Sequence, residues 1–251
     1  MTQPNAAALF AASDLTWPAE TFTRQGPFLL RHAPGAGGRV NCATAESSFS
    51  EADIEAAITA MHAKGGPRLF MIRKGEGAPD DSALDQALAV KGYNTVSPTR
   101  LMVAPTGPIA ARDLPRVRAF AIWEPLAIQH DIWEEGGIRA PRRAVMMRAD
   151  CPKAALLGRL NDHPACAGYL GYDARFGISE LHALYVLPHQ RRQGMAVNAL
   201  TMAARWTESE GGQWIGLAVE EHNTAARALY ESLGFVEAGG YHYRMHPEDT
   251  K

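Results

Sequence analysis

Glu180-Leu-His-Ala-Leu-Tyr-Val-Leu-Pro188 runs directly into His189-Gln-Arg-Arg-Gln-Gly194-Met-Ala196. The first part reads as a β-strand over Ile178–Leu187, and the second as a loop that opens a helix over Met195–Thr207. Small residues at 194 and 196 let the backbone approach a ligand closely, and Gly194 tolerates φ values closed to other residues. The first N–H groups of a helix have no intrahelical acceptor and converge where the macrodipole favours an anion. The stretch therefore reads as a main-chain cradle for a pyrophosphate, with Arg191 and Arg192 adding positive charge at its rim. Two other phosphate patterns are absent: a GxGxxG with a later ribose-binding acid, and a P-loop Gly-Lys-Ser/Thr. Taken alone, Arg-x-x-Gly-x-Ala is a string that ordinary helix starts also contain.

Downstream, a strand over Trp214–Val219 leads to Asn223-Thr-Ala-Ala-Arg-Ala-Leu229-Tyr230-Glu-Ser-Leu233-Gly234-Phe235. Asn223 suits an N-cap and Gly234 a C′ position, while Ala226, Leu229, Tyr230 and Leu233 share one helical face. Strand, phosphate loop, helix, strand and Asn-capped helix in this order resemble the GNAT N-acetyltransferase superfamily, closely over residues 140–245 and loosely over 106–140. The resemblance implies that acetyl-coenzyme A enters between two splayed parallel strands, 178–187 and 214–219. The backbone of Leu184, Tyr185 and Val186 would pair with the pantetheine arm. Amides of Arg191, Arg192, Gln193, Gly194, Met195 and Ala196 would hold the pyrophosphate, and Asn223 would contact the same molecule. Tyr230 matches the tyrosine that protonates the departing thiolate; a phenol of pKa ~10 can serve a thiolate of pKa ~8.5. Outside this motif Tyr230 would read as a packed core aromatic.

An amine must lose a proton to attack a thioester. Glu180 stands at the start of the donor strand, where several relatives that this chain resembles keep a catalytic glutamate, and period-2 alternation puts His182 on the same face. Either is a candidate base, directly or through water; the alternative is a solvated strand end and a satisfied polar group. Trp133-Glu134-Glu135 falls where the family builds its acceptor region, although a solvated helix end has the same composition. Arg139, Arg142, Arg143 and Arg148 read as surface, or as a receptor for an anionic substrate or the donor's 3′-phosphate. His130 with Asp131, and His163 with Asp162, lack a third partner at ligand spacing, so no metal is expected.

Upstream, a capping box at Ser50 and Asp53 opens a helix over Glu51–Lys64, ended by Gly65-Gly66-Pro67. Val40–Ala45 and Arg68–Arg73 read as strands, Asp81–Lys91 as a helix stopped by Gly92, and Arg100–Ala104 as a further strand. Pro105, Gly107 and Pro108 mark the best boundary. Beyond it Pro115–Trp123 and Pro125–Glu135 read as helical or partly so, Arg142–Met147 is ambiguous, Ala154–Leu160 and Cys166–Tyr172 read as strands, and Phe235 with Tyr241–Met245 as the closing strands. The expected fold is α/β: a mixed sheet with helices on its faces. Lys91-Gly92-Tyr93 followed by a strand echoes Leu233-Gly234-Phe235 followed by a strand. This suggests two tandem GNAT-like units, a degenerate one over 1–105 and a catalytic one over 106–251.

The chain has 251 residues, 46% hydrophobic and 21% charged, with 25 basic and 27 acidic side chains and a formal charge of −2. That balance excludes a disordered chain and argues against nucleic acid or an anionic membrane as a partner. No apolar run approaches the ~18 residues of a spanning helix, the Ala-rich start lacks a basic leader, and Cys42, Cys151 and Cys166 form no CxxC, so a cytoplasmic, reduced setting is expected. The reading is transfer of acetyl from acetyl-coenzyme A to a primary amine, on a small molecule or a peptide. A non-catalytic acyl-coenzyme A sensor, or a transferase for another acyl group, is the alternative. Acceptor identity and pairing into a homodimer stay open.

Overall fold

The computed structural model describes residues 2–249. The chain opens with helix α1 (Ala6–Thr16), whose N-cap Asn5 accepts a hydrogen bond from the Ala8 amide, followed by strands β1 (Thr21–Gln25), β2 (Phe28–His32) and β3 (Ala43–Ala45). Next come α2 (Glu51–Ala63), β4 (Leu69–Gly75), α3 (Ser82–Val90) and β5 (Asn94–Pro105). After α4 (Thr106–Ala110), β6 (Ala119–Ile122), α5 (Ala127–Glu135) and α6 (Ala140–Arg148), the chain makes β7 (Lys153–Leu160), β8 (His163–Asp173) and β9 (Ile178–Val186). It ends with α7 (Met195–Ser209), β10 (Trp214–Glu220), α8 (Thr224–Ser232) and β11 (Val236–Met245).

All of these strands form a single mixed sheet in the order β1-β2-β3-β4-β11-β5-β10-β9-β8-β7-β6. Its parallel neighbours among the described residues are β3/β4 and β9/β10. Each parallel pair is joined through a helix, as parallel strands require. The last strand of each half lies in the other half's territory: β5 pairs with β10, while β11 sits between β4 and β5. Two helices follow parallel spacing in the two halves. Asp81, Leu88, Gly92 and Tyr93 around α3 are spaced as Asn223, Tyr230, Gly234 and Phe235 around α8. Both ends close alike, with positive φ at Gly92 and Gly234 and with Tyr93 N–H donating to the Leu88 carbonyl as Phe235 N–H donates to that of Tyr230.

One face of the sheet is covered by α7, whose Met195, Ala199, Leu200 and Ala203 pack on Leu156, Leu170, Leu181, Ile215 and Leu217. The opposite face carries Trp17, Ile132, Trp133, Val145 and Tyr169, and α2 and α3 cover Phe28, Leu30 and Phe70. Helix α1 lies so close to the strands that a Cβ at Gly171 would stand 2.6 Å from Thr16, and one at Gly216 2.7 Å from Leu9.

Two expectations need correction. Pro115–Trp123 is not helical: Ala119–Ile122 pairs with β7 as the sheet's edge strand, the short apolar run finding a partner that outweighs the helix-start signal of Pro115. Val40 ends a 3-10 turn instead of starting a strand. Helix α1 and strands β1 and β2 carry no reading from sequence at all.

Candidate active site

Strands β9 and β10 pair in register from Ile178↔Trp214 to Leu181↔Leu217, and there the ladder stops although both strands continue. Directly beyond, Ala183 has φ +52 and the β8/β9 register slips, a bulge that turns β9 away. The Trp133 indole N–H donates to the Ala183 carbonyl at 3.0 Å and pins the bulge. The parting strands open a cleft of about 730 Å³. It is lined by Leu184, Tyr185 and Val186 from β9, by the loop and first turn of α7, and by Asn223, Leu229 and Tyr230 around α8.

At the mouth of α7, Gly194 takes the N-cap position with φ +76, no side chain caps the helix, and its first turn holds no acid. Main-chain N–H groups from Arg192 to Val197 have no acceptor among the described residues. They form an uncommitted row of donors at the positive end of a helix. Helix α2, which joins the other parallel pair, differs on both counts. Ser50 and Asp53 close a capping box on it, and Glu51 and Asp53 make its first turn acidic.

Of the residues expected at this cleft, Leu184, Tyr185, Val186, Arg191, Arg192, Gly194, Met195, Ala196, Asn223 and Tyr230 line it, whereas Gln193 does not. The Gln193 amide side chain turns back to the His189 carbonyl. Arg191 does not project from the rim: its Nε donates to the Val186 carbonyl at 3.0 Å and its guanidinium lies 5.5 Å from the centre of the Tyr185 ring. Asn223 spends its Oδ1 on the Ala226 amide as the cap of α8. The Tyr230 ring packs 5.6 Å from Phe235, its hydroxyl has no protein partner among the described residues, and burial pushes the phenol up to about 12. It stays protonated at neutral pH.

Glu180 and His182 face the other side of the sheet, beneath α1, and both are nearly inaccessible to solvent. Glu180 Oε2 accepts from the Ser13 hydroxyl at 2.5 Å, while Oε1 has no hydrogen-bond partner. Burial raises this carboxyl to about 7. His182 has both ring nitrogens engaged, Nε2 with Thr16 Oγ1 at 2.9 Å and Nδ1 with Arg39 at 3.3 Å. Thr16 Oγ1 already donates to the Ala12 carbonyl, so Nε2 carries the proton and Nδ1 accepts from Arg39. Burial, then Arg39 and Arg142, hold the imidazole well below its usual range. In this arrangement His182 has no free lone pair and supports Arg39.

Ser13, Thr16, Trp17 and Arg39 are the residues at this site that no local motif signals. Glu134 is spent on Arg143, and Arg148 reaches Pro18 O. Among the described residues no cluster of three or more His, Cys, Asp or Glu side chains is placed to hold a metal, and no helix is long and apolar enough to cross a membrane.

Residues 122–235 match the profile of the acetyltransferase (GNAT) family. This segment is similar to the GNAT family. It contains the cleft, the uncapped start of α7 and the α8 motif. The chain is similar over nearly its whole length to the uncharacterized N-acetyltransferase YobR of Bacillus subtilis (strain 168), at 23% identity over 236 residues, 92% of this chain and 94% of that one. A GCN5-related N-acetyltransferase from Kribbella flavida shares the fold, with a TM-score of 0.71 and 17% identity, covering 98% of this chain and 97% of that one. A tandem GNAT protein from the clavulanic acid biosynthesis pathway superposes with a TM-score of 0.58 and 12% identity, covering 96% and 89%. The profile match and the N-acetyltransferase relative support acyltransferase activity, and the shared fold accounts for the splayed strands of the mixed sheet.

Proposed function

We propose that the protein transfers the acetyl group of acetyl-coenzyme A directly to a primary amine. The observation that carries this reading is the conjunction of unspent α7 amides with the Tyr230 hydroxyl in one cleft at the strand splay. The amides from Arg192 to Val197 suit the donor's diphosphate, and unpaired β9 backbone at Leu184 suits its amide-bearing arm. The amine nitrogen attacks the thioester carbon, the carbon–sulfur bond breaks, and Tyr230 gives its proton to the leaving sulfur. The proton lost by nitrogen passes through Ser13 to Glu180, whose raised pKa suits a base at neutral pH. Burial lifts the thiols of Cys42 to about 11 and Cys166 to about 12, and raises that of Cys151. None is a ready thiolate, which favours direct transfer over an acyl-enzyme.

Residues 1–105 act in this reading as a degenerate GNAT-like unit and 106–251 as the catalytic one. The shared strand–helix order and the matched spacing around α3 and α8 support a duplication. Leu88 stands where Tyr230 would be, and the acidic, capped start of α2 repels a phosphate. The first unit's α1 instead covers Glu180.

Tyr230→Phe tests the assignment. Turnover, followed as release of free coenzyme A thiol, should fall ~100-fold or more with acetyl-coenzyme A affinity retained. Undiminished turnover removes Tyr230 from the mechanism.

A further inference from the structure

On the face of the sheet opposite the donor cleft lies a second cavity of about 350 Å³, open at the same splay, because its wall includes Ala218 and Glu220 of β10 beyond the last ladder pair. Trp17, Tyr241 and Tyr243 supply its aromatic lining, and Arg39 and Arg142 its positive charge. The volume is at the small end of ligand pockets, enough for a metabolite and too tight for a folded protein segment.

The two arginines lack the close carboxylate partners that several others in this molecule have. Arg31, Arg73, Arg143, Arg175 and Arg244 each have a carboxylate oxygen within 3.0 Å. Neither Arg39 nor Arg142 has a carboxylate ion-pair partner among the described residues. Arg142 Nε is buried without any hydrogen-bond partner. Arg39 is held in place by His182 at 3.3 Å and by Trp17, 5.5 Å below its guanidinium. Burial, and then repulsion from Arg39, lower the pKa of Arg142, with Glu220 acting in the opposite sense. Glu220 on the same wall lies 3.2 Å from His222 and makes no ion pair with either arginine among the described residues. Two guanidinium groups without a carboxylate partner in a half-buried space are a receptor for an oxyanion, and they sit on the face that carries Glu180.

We propose that the acceptor is a small amine that also carries an acidic group, a carboxylate or a phosphate, gripped by Arg39 and Arg142 while its nitrogen points through the splay. Glu220 attracts the ammonium end as it enters. This rests on the acetyltransferase reading above and names its substrate class.

The test is a coenzyme A release assay on the full chain with acetyl-coenzyme A. Its panel holds L-amino acids, their carboxamides, phosphoethanolamine, putrescine, spermidine and a lysine-containing peptide. At least one acid-bearing amine should be turned over ~10–100-fold better than its neutral counterpart, the range expected for a charge-assisted bidentate contact. Ranking carboxylates against phosphoethanolamine identifies the acidic group. Arg142→Gln should raise KM for that acceptor and erase the preference, and Arg142→Lys should restore part of it. A preference for polyamines or the peptide, or a ratio unchanged by Arg142→Gln, overturns the proposal. A thermal-shift titration with the N-acetyl derivatives of the same acids reads the arginine site without the donor. Stabilisation that is lost in Arg142→Gln supports the site even if acetyl-coenzyme A uptake fails, in which case the transferase reading alone falls. No stabilisation by any acid overturns the arginine site itself.

Discussion

Glu180 has one oxygen on the Ser13 hydroxyl and the other facing no donor, so its charge is poorly compensated and burial lifts it from 4.5 to about 7. The folded chain holds a proton there that the unfolded chain releases. The stabilising contribution is therefore complete below pH 4.5 and lost as pH rises through 7. His182 works in the other direction: its folded pKa lies well below 6.5, so stability falls as pH drops below 6.5 and the unfolded imidazole charges. Glu180→Gln keeps the Ser13 contact and removes the buried charge. We expect this variant to be more stable than the parent at pH 8, by about 1–3 kcal/mol in denaturant titration, yet to lose most turnover and the limb of the pH–rate profile that rises through 7. A parallel fall in stability and activity would give Glu180 a purely structural role. Sequence alternation places Glu180 and His182 on one face correctly, but their partners Ser13, Thr16 and Arg39 lie more than a hundred positions away. That distance is why the sequence alone leaves the choice between the two as base open.

At the scale of elements, local signals read well where they close on themselves. The Ser50 capping box, the Gly92 and Gly234 helix ends and the Gly194 start of α7 all stand as their residues dictate. Asp81 is an instructive exception. It occupies the N-cap of α3 but spends its carboxylate on Arg73, so a capping residue is turned into half of a buried ion pair. Gly194 is needed for its backbone, not for space, since no atom lies within 4 Å of where its Cβ would be. Gly194→Ala should thus cost about 1 kcal/mol, the penalty of left-handed φ for a residue with a side chain, as read by chemical denaturation. A loss of several kcal/mol would mean that the loop is packed more tightly than its geometry indicates. Helix α1 illustrates the opposite case. Its Ala-rich sequence has no clear polar face because it is covered on several sides, and small residues at 171 and 216 on distant strands make its seat.

For the whole molecule, the exchange of β5 and β11 is the feature that no strand pattern announces, because alternation specifies a face and never a neighbour. Pro105-Thr-Gly-Pro108 reads as a boundary, and the chain does change from strand to helix there, but the sheet runs across it without a break. Both neighbours of β11 come from residues 1–105, and β10 loses one of its two partners if they are removed. Residues 106–251 expressed alone should then expose unpaired strand edges and fail to unfold cooperatively, whereas co-expression with 1–105 should restore a soluble, cooperative complex. A stable, cooperatively unfolding 106–251 fragment would show that the swapped strands contribute little.

The account turns on main-chain N–H groups at the start of α7 holding a diphosphate in the β9/β10 gap. Isothermal titration of the full chain with acetyl-coenzyme A, set against acetyl-pantetheine, which lacks the diphosphate, tests it most directly. We predict saturable uptake of about one acetyl-coenzyme A per chain and affinity for acetyl-pantetheine at least ~100-fold weaker, as the loss of several charge-assisted hydrogen bonds implies. Equal affinity for the two, or no uptake of acetyl-coenzyme A, would contradict it.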